Sequence, residues 1–146
     1  MNKSEIIKFM DARTIIMLGT VDVAGAPAVR ALINIRNASI APHLAEYFKK
    51  NDRLLFITNT SSEKISQIRA NPAASLYCYD DQFNGLMLTG RVAELDDGGR
   101  TADEIWDDSW KMYYPAGKDG GDFSILEFTP ESYKFYSGFN VKKGTL

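Results

Sequence analysis

Histidine and cysteine are almost absent from this sequence, which contains one of each in 146 residues. The single cysteine excludes an internal disulfide, and its place in the strand-like run SLYCY predicts that Cys78 is a buried, unreactive thiol. His43 lies far from Cys78 in the chain, so the two do not make a metal-ligand pattern. The sequence therefore predicts neither a metal site nor a Ser–His–acid triad, and we expect His43 to be a surface or partly buried side chain.

An excess of charge and long apolar runs are also missing. Lys and Arg number 17 against 19 Asp and Glu, so the net charge of −2 provides no basic field for nucleic acid. No apolar run approaches the roughly 20 residues that a membrane-spanning helix requires. Residues 1–13 have the pattern of an amphipathic helix with acidic residues, which is not that of a signal peptide. We therefore expect a cytoplasmic protein that binds neither nucleic acid nor membrane.

The common nucleotide and calcium motifs are missing too. No Gly-x-Gly-x-x-Gly follows a strand, and the Gly117-Lys118 pair lacks the earlier glycine of a P-loop. The Asp- and Gly-rich segments 96–99 and 118–122 lack the alternating ligands and distal Glu of an EF-hand loop. We interpret both segments as turns.

The residues that are present predict a folded domain. Hydrophobic residues make up 45% of the chain and aromatic residues 12%, which excludes a disordered chain, and the length fits one domain over residues 1–146. We expect strands at Thr14–Val21, Ala28–Arg36, Arg53–Asn59, Ala73–Tyr79, Leu86–Leu95, Phe123–Phe128 and Tyr133–Tyr136. We expect helices at Ser4–Met10, Ala41–Lys50, Ser61–Ala70 and Thr101–Tyr113. Some seven strands in a meander with scattered short helices favour a barrel over a βαβ sheet.

The corner between the third strand and the next helix is rich in hydroxyl groups. Thr60 and Glu63 have the Thr-x-x-Glu spacing of a capping box, which predicts a helix start close to Thr60, with Lys64 in the first turn. A helix N-terminus presents free N–H groups and partial positive charge, so this corner could hold a phosphate together with Ser61, Ser62 and Lys64. A plain capped turn is the alternative.

The second expected strand has arginines on one face. Side chains alternate across a strand, so Arg30, Leu32, Asn34 and Arg36 share one face, and Val29, Ala31, Ile33 and Ile35 share the other. The face with the arginines either lines a polar site or is exposed to solvent in an antiparallel sheet.

These segments together resemble the pyridoxamine 5′-phosphate oxidase-like family, especially its short general stress protein 26-type members. The resemblance rests on Arg30, on the Phe-x-Thr-Asn run ending at Asn59, and on Ser62-Glu63-Lys64. Asp80, the 85–90 segment, the Tyr114-Pro115-x-Gly117 motif and the strand at 124–128 follow in the family's order. The resemblance covers roughly Ile6 to Tyr136. One departure is the 41–50 helix, where many relatives have a short connection.

The resemblance implies a fold, a cofactor and a partner. The fold is mainly β (α+β), a split β-barrel of about six or seven antiparallel strands with short peripheral helices. The cofactor is FMN, held at the interface of a homodimer. The cofactor-binding residues that we expect are Arg30, Ala31, Leu32, Ile57, Thr58, Asn59, Ser61, Ser62, Lys64 and Trp110. Of these, Arg30, Ser62 and Lys64 suit the phosphate, Thr58 and Asn59 the ribityl chain or ring edge, and Ala31, Leu32 and Ile57 the ring walls.

The aromatic helix at Thr101–Tyr113 allows two interpretations. Trp106, Trp110 and Tyr113 recur at helical spacing, which is typical of a core face and equally of a dimer face. In resembling proteins this segment comes near the cofactor of the partner subunit, so we expect Trp110 to contact the flavin ring and Trp106 to pack in the core.

Four functions remain open. The first is an FMN-dependent oxidoreductase of unknown small-molecule substrate, with a small-molecule electron donor or acceptor and with no catalytic residue identified. The second is a non-catalytic stress protein that binds or senses flavin. The third is a nitroimidazole-reductase-like enzyme, for which His43 is the candidate histidine. The fourth is a haem or deazaflavin binder. True pyridoxamine phosphate oxidase activity is disfavoured, because the chain lacks that enzyme's basic C-terminal segment.

Overall fold

A computed structural model describes all 146 residues. The strands are β1 (Ile15–Val21), β2 (Pro27–Ile33), β3 (Leu54–Asn59), β4 (Ala73–Tyr79), β5 (Gly85–Glu94), β6 (Phe123–Ser137) and β7 (Asn140–Thr145). The α-helices are α1 (Lys3–Asp11), α2 (Ala45–Lys50), α3 (Glu63–Ala70) and α4 (Arg100–Ile105). Two 3₁₀ helices lie at Pro42–Leu44 and Asp108–Met112. None of these helices has the length and the apolar character of a membrane span.

The seven strands form one antiparallel sheet. Its order is β2-β1-β4-β5-β6-β3, and β7 pairs with β6 outside this path. The long strand β6 pairs with β3 through its first half and with β7 through its second half, while β5 runs along both halves. This arrangement confirms the expected mainly β split barrel with short peripheral helices.

The apolar side chains fall into two clusters on opposite sides of β3 and β6. The larger cluster fills the barrel and includes residues of α1 and α3. The smaller cluster lies under α2, α4 and the second 3₁₀ helix. Leu54 and Phe56 belong to the first cluster and Leu55 to the second, so β3 is covered on both faces. This explains why its sequence is a continuous apolar run without alternation.

Strand β2 is shorter than expected. It ends at Ile33, because the Asn34 side chain donates to the Met10 carbonyl (2.8 Å) and the Arg13 carbonyl (2.7 Å) and turns the chain. Arg36 is 6% exposed, forms an ion pair with Asp11 (2.7 Å) and has a structural role away from β2. The predicted strand to Arg36 is therefore wrong at its end.

The C-terminal strands also differ from the expectation. The strands predicted at Phe123–Phe128 and Tyr133–Tyr136 are parts of one continuous strand, β6, which contains Pro130. The register shifts between Thr89 and Gly90, opposite Pro130, and such a bulge accommodates a proline that has no N–H to donate. Strand β7 was not predicted, because its sequence is polar and exposed along most of its length.

Candidate functional site

A cleft of about 510 Å³ lies between β2 with its following loop, the end of β3, and the second 3₁₀ helix. Most of the residues that the sequence predicts for the cofactor line this cleft. They are Ala31, Leu32, Ile57, Thr58, Asn59, Lys64 and Trp110. Arg30, Ser61 and Ser62 do not line it. The fold therefore brings most of the predicted residues to one place, from three separate segments of the chain.

Lys64 provides the positive charge in the cleft wall. Its Nζ donates to the Thr58 Oγ1 (2.8 Å) and to the Ser62 Oγ (2.7 Å). Burial lowers the pKa of Lys64, and the positive charge of Arg30 lowers it further. The ammonium is thus fixed by two hydroxyls, and no Asp or Glu lies within ion-pair distance.

Arg30 lies behind this wall, on the inward face of β2. Its Nη1 donates to the Thr20 Oγ1 (2.6 Å) and the Leu18 carbonyl (3.2 Å), and its Nη2 donates to the Gln67 Oε1 (2.9 Å). Burial lowers the pKa of Arg30 as well. All of these partners are neutral. Two partly buried cations therefore lie close enough to repel each other, and neither has an acidic partner.

The start of α3 differs from the capping-box prediction. The N-cap is Ser62, whose Oγ accepts a long hydrogen bond from the Lys64 N–H (3.4 Å), and the helix begins at Glu63. The Thr60 hydroxyl instead contacts the Ser124 hydroxyl (2.5 Å) across the β3–β6 pair. Because the Thr60 hydroxyl contacts Ser124 on the neighbouring strand β6, it does not cap the helix.

Asp122 occupies the outer side of this corner. Its carboxylate accepts hydrogen bonds from the Ser61 N–H (3.0 Å) and the Asn59 amide (2.6 Å), and its carbonyl accepts from the Thr60 N–H (2.7 Å). These hydrogen bonds, led by that from Asn59, lower the pKa of Asp122. The sequence analysis interpreted the segment 118–122 as a turn, and nothing in that segment indicated this contact. The Ser61 N–H is therefore already hydrogen-bonded to the Asp122 carboxylate.

The aromatic wall of the cleft comes from a broken helix. The predicted helix Thr101–Tyr113 is wrong, because α4 ends at Ile105 and the Asp107 side chain accepts from the Ser109 N–H (3.2 Å) to start the 3₁₀ helix. This break moves Tyr113 out to solvent, where it is 56% exposed, and brings Tyr114 into the core.

Trp110 both lines the cleft and packs in the smaller core cluster. It is 8% exposed, and its ring lies 6.0 Å from those of Trp106 and Phe123 and 5.3 Å from that of His43. The His43 Nε2 lies 2.9 Å from the Ile105 carbonyl, and His43 is not part of the cleft lining. A fixed indole thus forms one wall, and no histidine faces the cleft.

The cleft suits a flat, partly apolar anion. Its walls are aliphatic on the β2 side and aromatic on the other, while Lys64, Thr58 and Asn59 provide polar groups at one end. No Asp or Glu lines it, so the lining contains no carboxylate that could act as a general base. The arrangement can bind and orient a ligand that brings its own reactive chemistry.

The fold and the cleft define a class of split-barrel proteins with a hydroxyl-rich, positively charged corner at the end of the third strand. The sequence model of the pyridoxamine 5′-phosphate oxidase family matches residues 3–137, and the chain belongs to this family. No curated protein matches the chain.

Solved structures with the same fold carry several descriptions. A Clostridium acetobutylicum protein related to general stress protein 26 of B. subtilis is 25% identical, with a TM-score of 0.77, covering 100% of this chain and 97% of that one. A pyridoxamine 5′-phosphate oxidase-related, FMN binding protein from Nostoc punctiforme is 15% identical (TM-score 0.62; 99% and 92% covered). A heme binding protein from Mycobacterium smegmatis is 14% identical (TM-score 0.69; 99% and 58% covered).

Proposed function

We propose that the protein binds FMN in this cleft and works as an oxidoreductase on a small molecule. The observation that carries the proposal is the pair of cations, Arg30 and Lys64, which lie beside an apolar cleft without an acidic partner. Placing two uncompensated charges close together is unfavourable unless an anion joins them. A phosphate monoester at the end of a flat, apolar ligand supplies that anion.

The residues present fit the three parts of FMN. Lys64 and Ser62 at the start of α3, with Arg30 behind them, suit the phosphate. Thr58 and Asn59 suit the polyol chain. Ala31, Leu32 and Trp110 provide flat walls for the ring system. The family membership and the FMN-binding Nostoc relative support the same ligand.

The chain's own contribution to a reaction is binding and orientation. FMN supplies the electron or hydride transfer when it is bound. The cleft walls hold the ligand and exclude water from its faces, and the absence of carboxylates from the lining fits a reaction without a protein base. A flavin-binding stress protein without turnover would use the same contacts, so only an activity measurement separates these two functions.

A haem ligand has less support from the cleft. Haem iron usually takes a His, Cys, Met or Tyr ligand. His43 and Cys78 lie outside the cleft lining, and Cys78 is 2% exposed. Met112 and two tyrosines do line the cleft, and the Mycobacterium relative is a haem binder, so haem stays the second candidate.

The proposal includes a homodimer that covers the cleft. Ala31 and Ile33 line the cleft and point to the outer face of β2. They continue into a set of exposed apolar side chains on the neighbouring strands β1, β2 and β4, which we call the outer apolar face. Its members are Ile15 (45% exposed), Val29 (68%), Ile33 (46%), Tyr77 (36%) and Tyr79 (55%). A second copy packed on this face would bury it and close the cleft.

The experiment is to purify the protein, record its visible spectrum, and identify the extracted ligand by mass. We expect a flavin spectrum and FMN at one per chain. Recovery of FAD, deazaflavin or haem at that ratio would overturn the proposal of FMN. Mixing the FMN-loaded protein with reduced nicotinamides under anaerobic conditions then tests for turnover, and no bleaching with any donor would favour the non-catalytic alternative.

A further inference from the structure

The hydroxyl of the buried tyrosine in the cleft lining has no partner in the protein. Tyr114 is 5% exposed, and its ring is held between Phe123 (5.0 Å) and Trp106 (6.4 Å). Buried tyrosines usually find a hydrogen-bond partner. Accordingly, the Tyr133 hydroxyl accepts from the N-terminal ammonium (2.8 Å) and the Tyr47 hydroxyl accepts from Arg53 (3.2 Å). The Tyr114 hydroxyl has no such partner.

This hydroxyl is nevertheless reached from outside the protein. The Arg13 Nε is the one fully enclosed side-chain nitrogen or oxygen that lacks a partner, so the Tyr114 hydroxyl is accessible although its ring is buried. Tyr114 lines the cleft together with Asn59, Lys64 and Trp110. Because the hydroxyl is accessible and its residue lines the cleft, we infer that the hydroxyl opens into the cleft. Because the ring is fixed by aromatic packing, the hydroxyl is presented in one position.

Tyr114 lies between the polar corner and the aromatic wall. Its N–H donates to the Trp110 carbonyl (2.9 Å), so the two residues are one turn apart. The charge of Asp122, which holds Asn59 and Ser61, acts on its phenol: burial first and this charge second raise the pKa of Tyr114 to about 12. The phenol is protonated at neutral pH and can donate a hydrogen bond.

We propose that the Tyr114 hydroxyl is a specificity-determining donor to the polyol chain of the ligand in this cleft. This inference rests on the proposed FMN site. With the phosphate at Lys64 and the ring at Trp110, the part of the ligand beside Tyr114 is the ribityl chain. Its hydroxyls can accept from the phenol. The assigned role is recognition of the polyol segment, which distinguishes a flavin with a ribityl chain from a bare tricyclic ring.

Three flavins that differ by one part each test the proposal. FMN contains ring, ribityl chain and phosphate, riboflavin lacks the phosphate, and lumiflavin lacks both phosphate and ribityl chain. Dissociation constants are measured for wild type and for Tyr114→Phe, which keeps the ring and its packing. A neutral hydrogen bond corresponds to about a threefold to tenfold change in affinity. We expect Tyr114→Phe to weaken FMN and riboflavin by this same factor and to leave lumiflavin unchanged.

The matched control is Tyr47→Phe, which removes a hydroxyl that bonds Arg53 and lies outside the cleft lining. It should lower the thermal stability of the ligand-free protein and leave all three affinities unchanged, whereas Tyr114→Phe should not lower stability. A loss for FMN alone would assign Tyr114 to the phosphate, and a loss that includes lumiflavin would assign it to the ring. Either result, or no change at all, overturns the proposal. If wild type binds none of the three, the FMN site itself is wrong.

Discussion

Lys64 and Arg30 have similar charge but different surroundings, and this separates their roles. Lys64 is held by two hydroxyls that can each bond to a bound anion instead. Arg30 supports the Leu18 carbonyl, Thr20 and Gln67 between β1, β2 and α3. We therefore expect Lys64 to act mainly in ligand binding, and Arg30 to act in ligand binding and in folding.

Replacing Lys64 by Ala tests the phosphate anchor. A charge-assisted hydrogen bond contributes roughly 1.5–3 kcal/mol, so Lys64→Ala should weaken FMN about tenfold to a hundredfold. Riboflavin lacks the phosphate and should lose little affinity. Lys50→Ala, which removes an exposed lysine with no ion pair, is the control and should change neither affinity. Fluorescence titration measures both ligands, and equal FMN affinity in Lys64→Ala and wild type would contradict the anchor.

Arg30→Ala should differ from Lys64→Ala in its effect on the ligand-free protein. It removes the donor to three neutral acceptors, so the free energy of unfolding should fall by about 1–3 kcal/mol. Lys64→Ala should stay within roughly 0.5 kcal/mol, because it also removes a repulsion. Urea denaturation without FMN compares the two variants. A stable Arg30→Ala protein would show that its hydrogen bonds contribute little to the fold.

Cys78 offers a check on the packing of the barrel. The thiol is 2% exposed, and burial raises its pKa to about 12. The thiolate is the reactive form, so Cys78 should not react with Ellman's reagent in the native protein at neutral pH and should react fully in guanidinium chloride. Rapid reaction without denaturant would mean that β4 opens readily.

For the helices and strands, the sequence predicted which elements exist better than it predicted the residues at which they begin and end. Six of the seven strands correspond to predicted runs, because alternating or continuous apolar residues mark a strand whether or not its partners are known. Two of the errors occur where distant residues decide the local structure. Asn34 ends β2 through contacts with α1, and Ser124 draws the Thr60 hydroxyl away from α3.

The alternation of the two faces of β2 was predicted correctly, and the environment of each face was left open. Arg30 and Leu32 point inward, while the apolar residues Val29 and Ile33 are exposed. A sequence pattern identifies two faces but does not say which one meets the protein interior. The sequence suggested Lys64 and Trp110 for one site. The places of Asp122 and Tyr114 beside that site became visible only in the folded structure.

The bulge between β5 and β6 leaves no room for a side chain at Gly90. A Cβ added at Gly90 would lie 2.1 Å from the Thr129 carbonyl oxygen, which is backbone and cannot move without disrupting the strand pair. Gly90→Ala should therefore destabilise the protein by several times more than the roughly 1 kcal/mol of an average substitution.

Gly19→Ala in β1 is the control for this bulge, because its Cβ would meet only ordinary contacts at 3.7 Å and beyond. We expect it to change the melting temperature by only a few degrees, whereas Gly90→Ala should lower the melting temperature strongly or prevent folding. Similar melting temperatures for the two variants would mean that the β5–β6 pair relaxes at the bulge.

At the scale of the whole molecule, the cleft and the outer apolar face are continuous. Cross-strand pairs place Ile15 opposite Ile33 and Met17 opposite both Ala31 and Tyr77, so these side chains share one surface of β1, β2 and β4. Ala31 and Ile33 belong to this surface and to the cleft lining. A surface of this kind rarely remains exposed in a monomer, and covering it would also enclose a ligand in the cleft.

Dimerisation and FMN binding should therefore be lost together. The wild-type chain of 16.3 kDa should run in light scattering at twice that mass. Val29→Lys places a charge on the outer apolar face, at the edge strand β2. It should shift the protein towards the monomer and weaken FMN, with little effect on the fold of the separate chain, because Val29 is 68% exposed. Phe139→Lys is the control: this side chain is fully exposed at the β6–β7 turn, outside the strands β1, β2 and β4 that form the face, and the variant should remain dimeric. A wild-type monomer that holds FMN at one per chain would rule out the shared site, and a Val29→Lys dimer with unchanged affinity would place the interface on another surface.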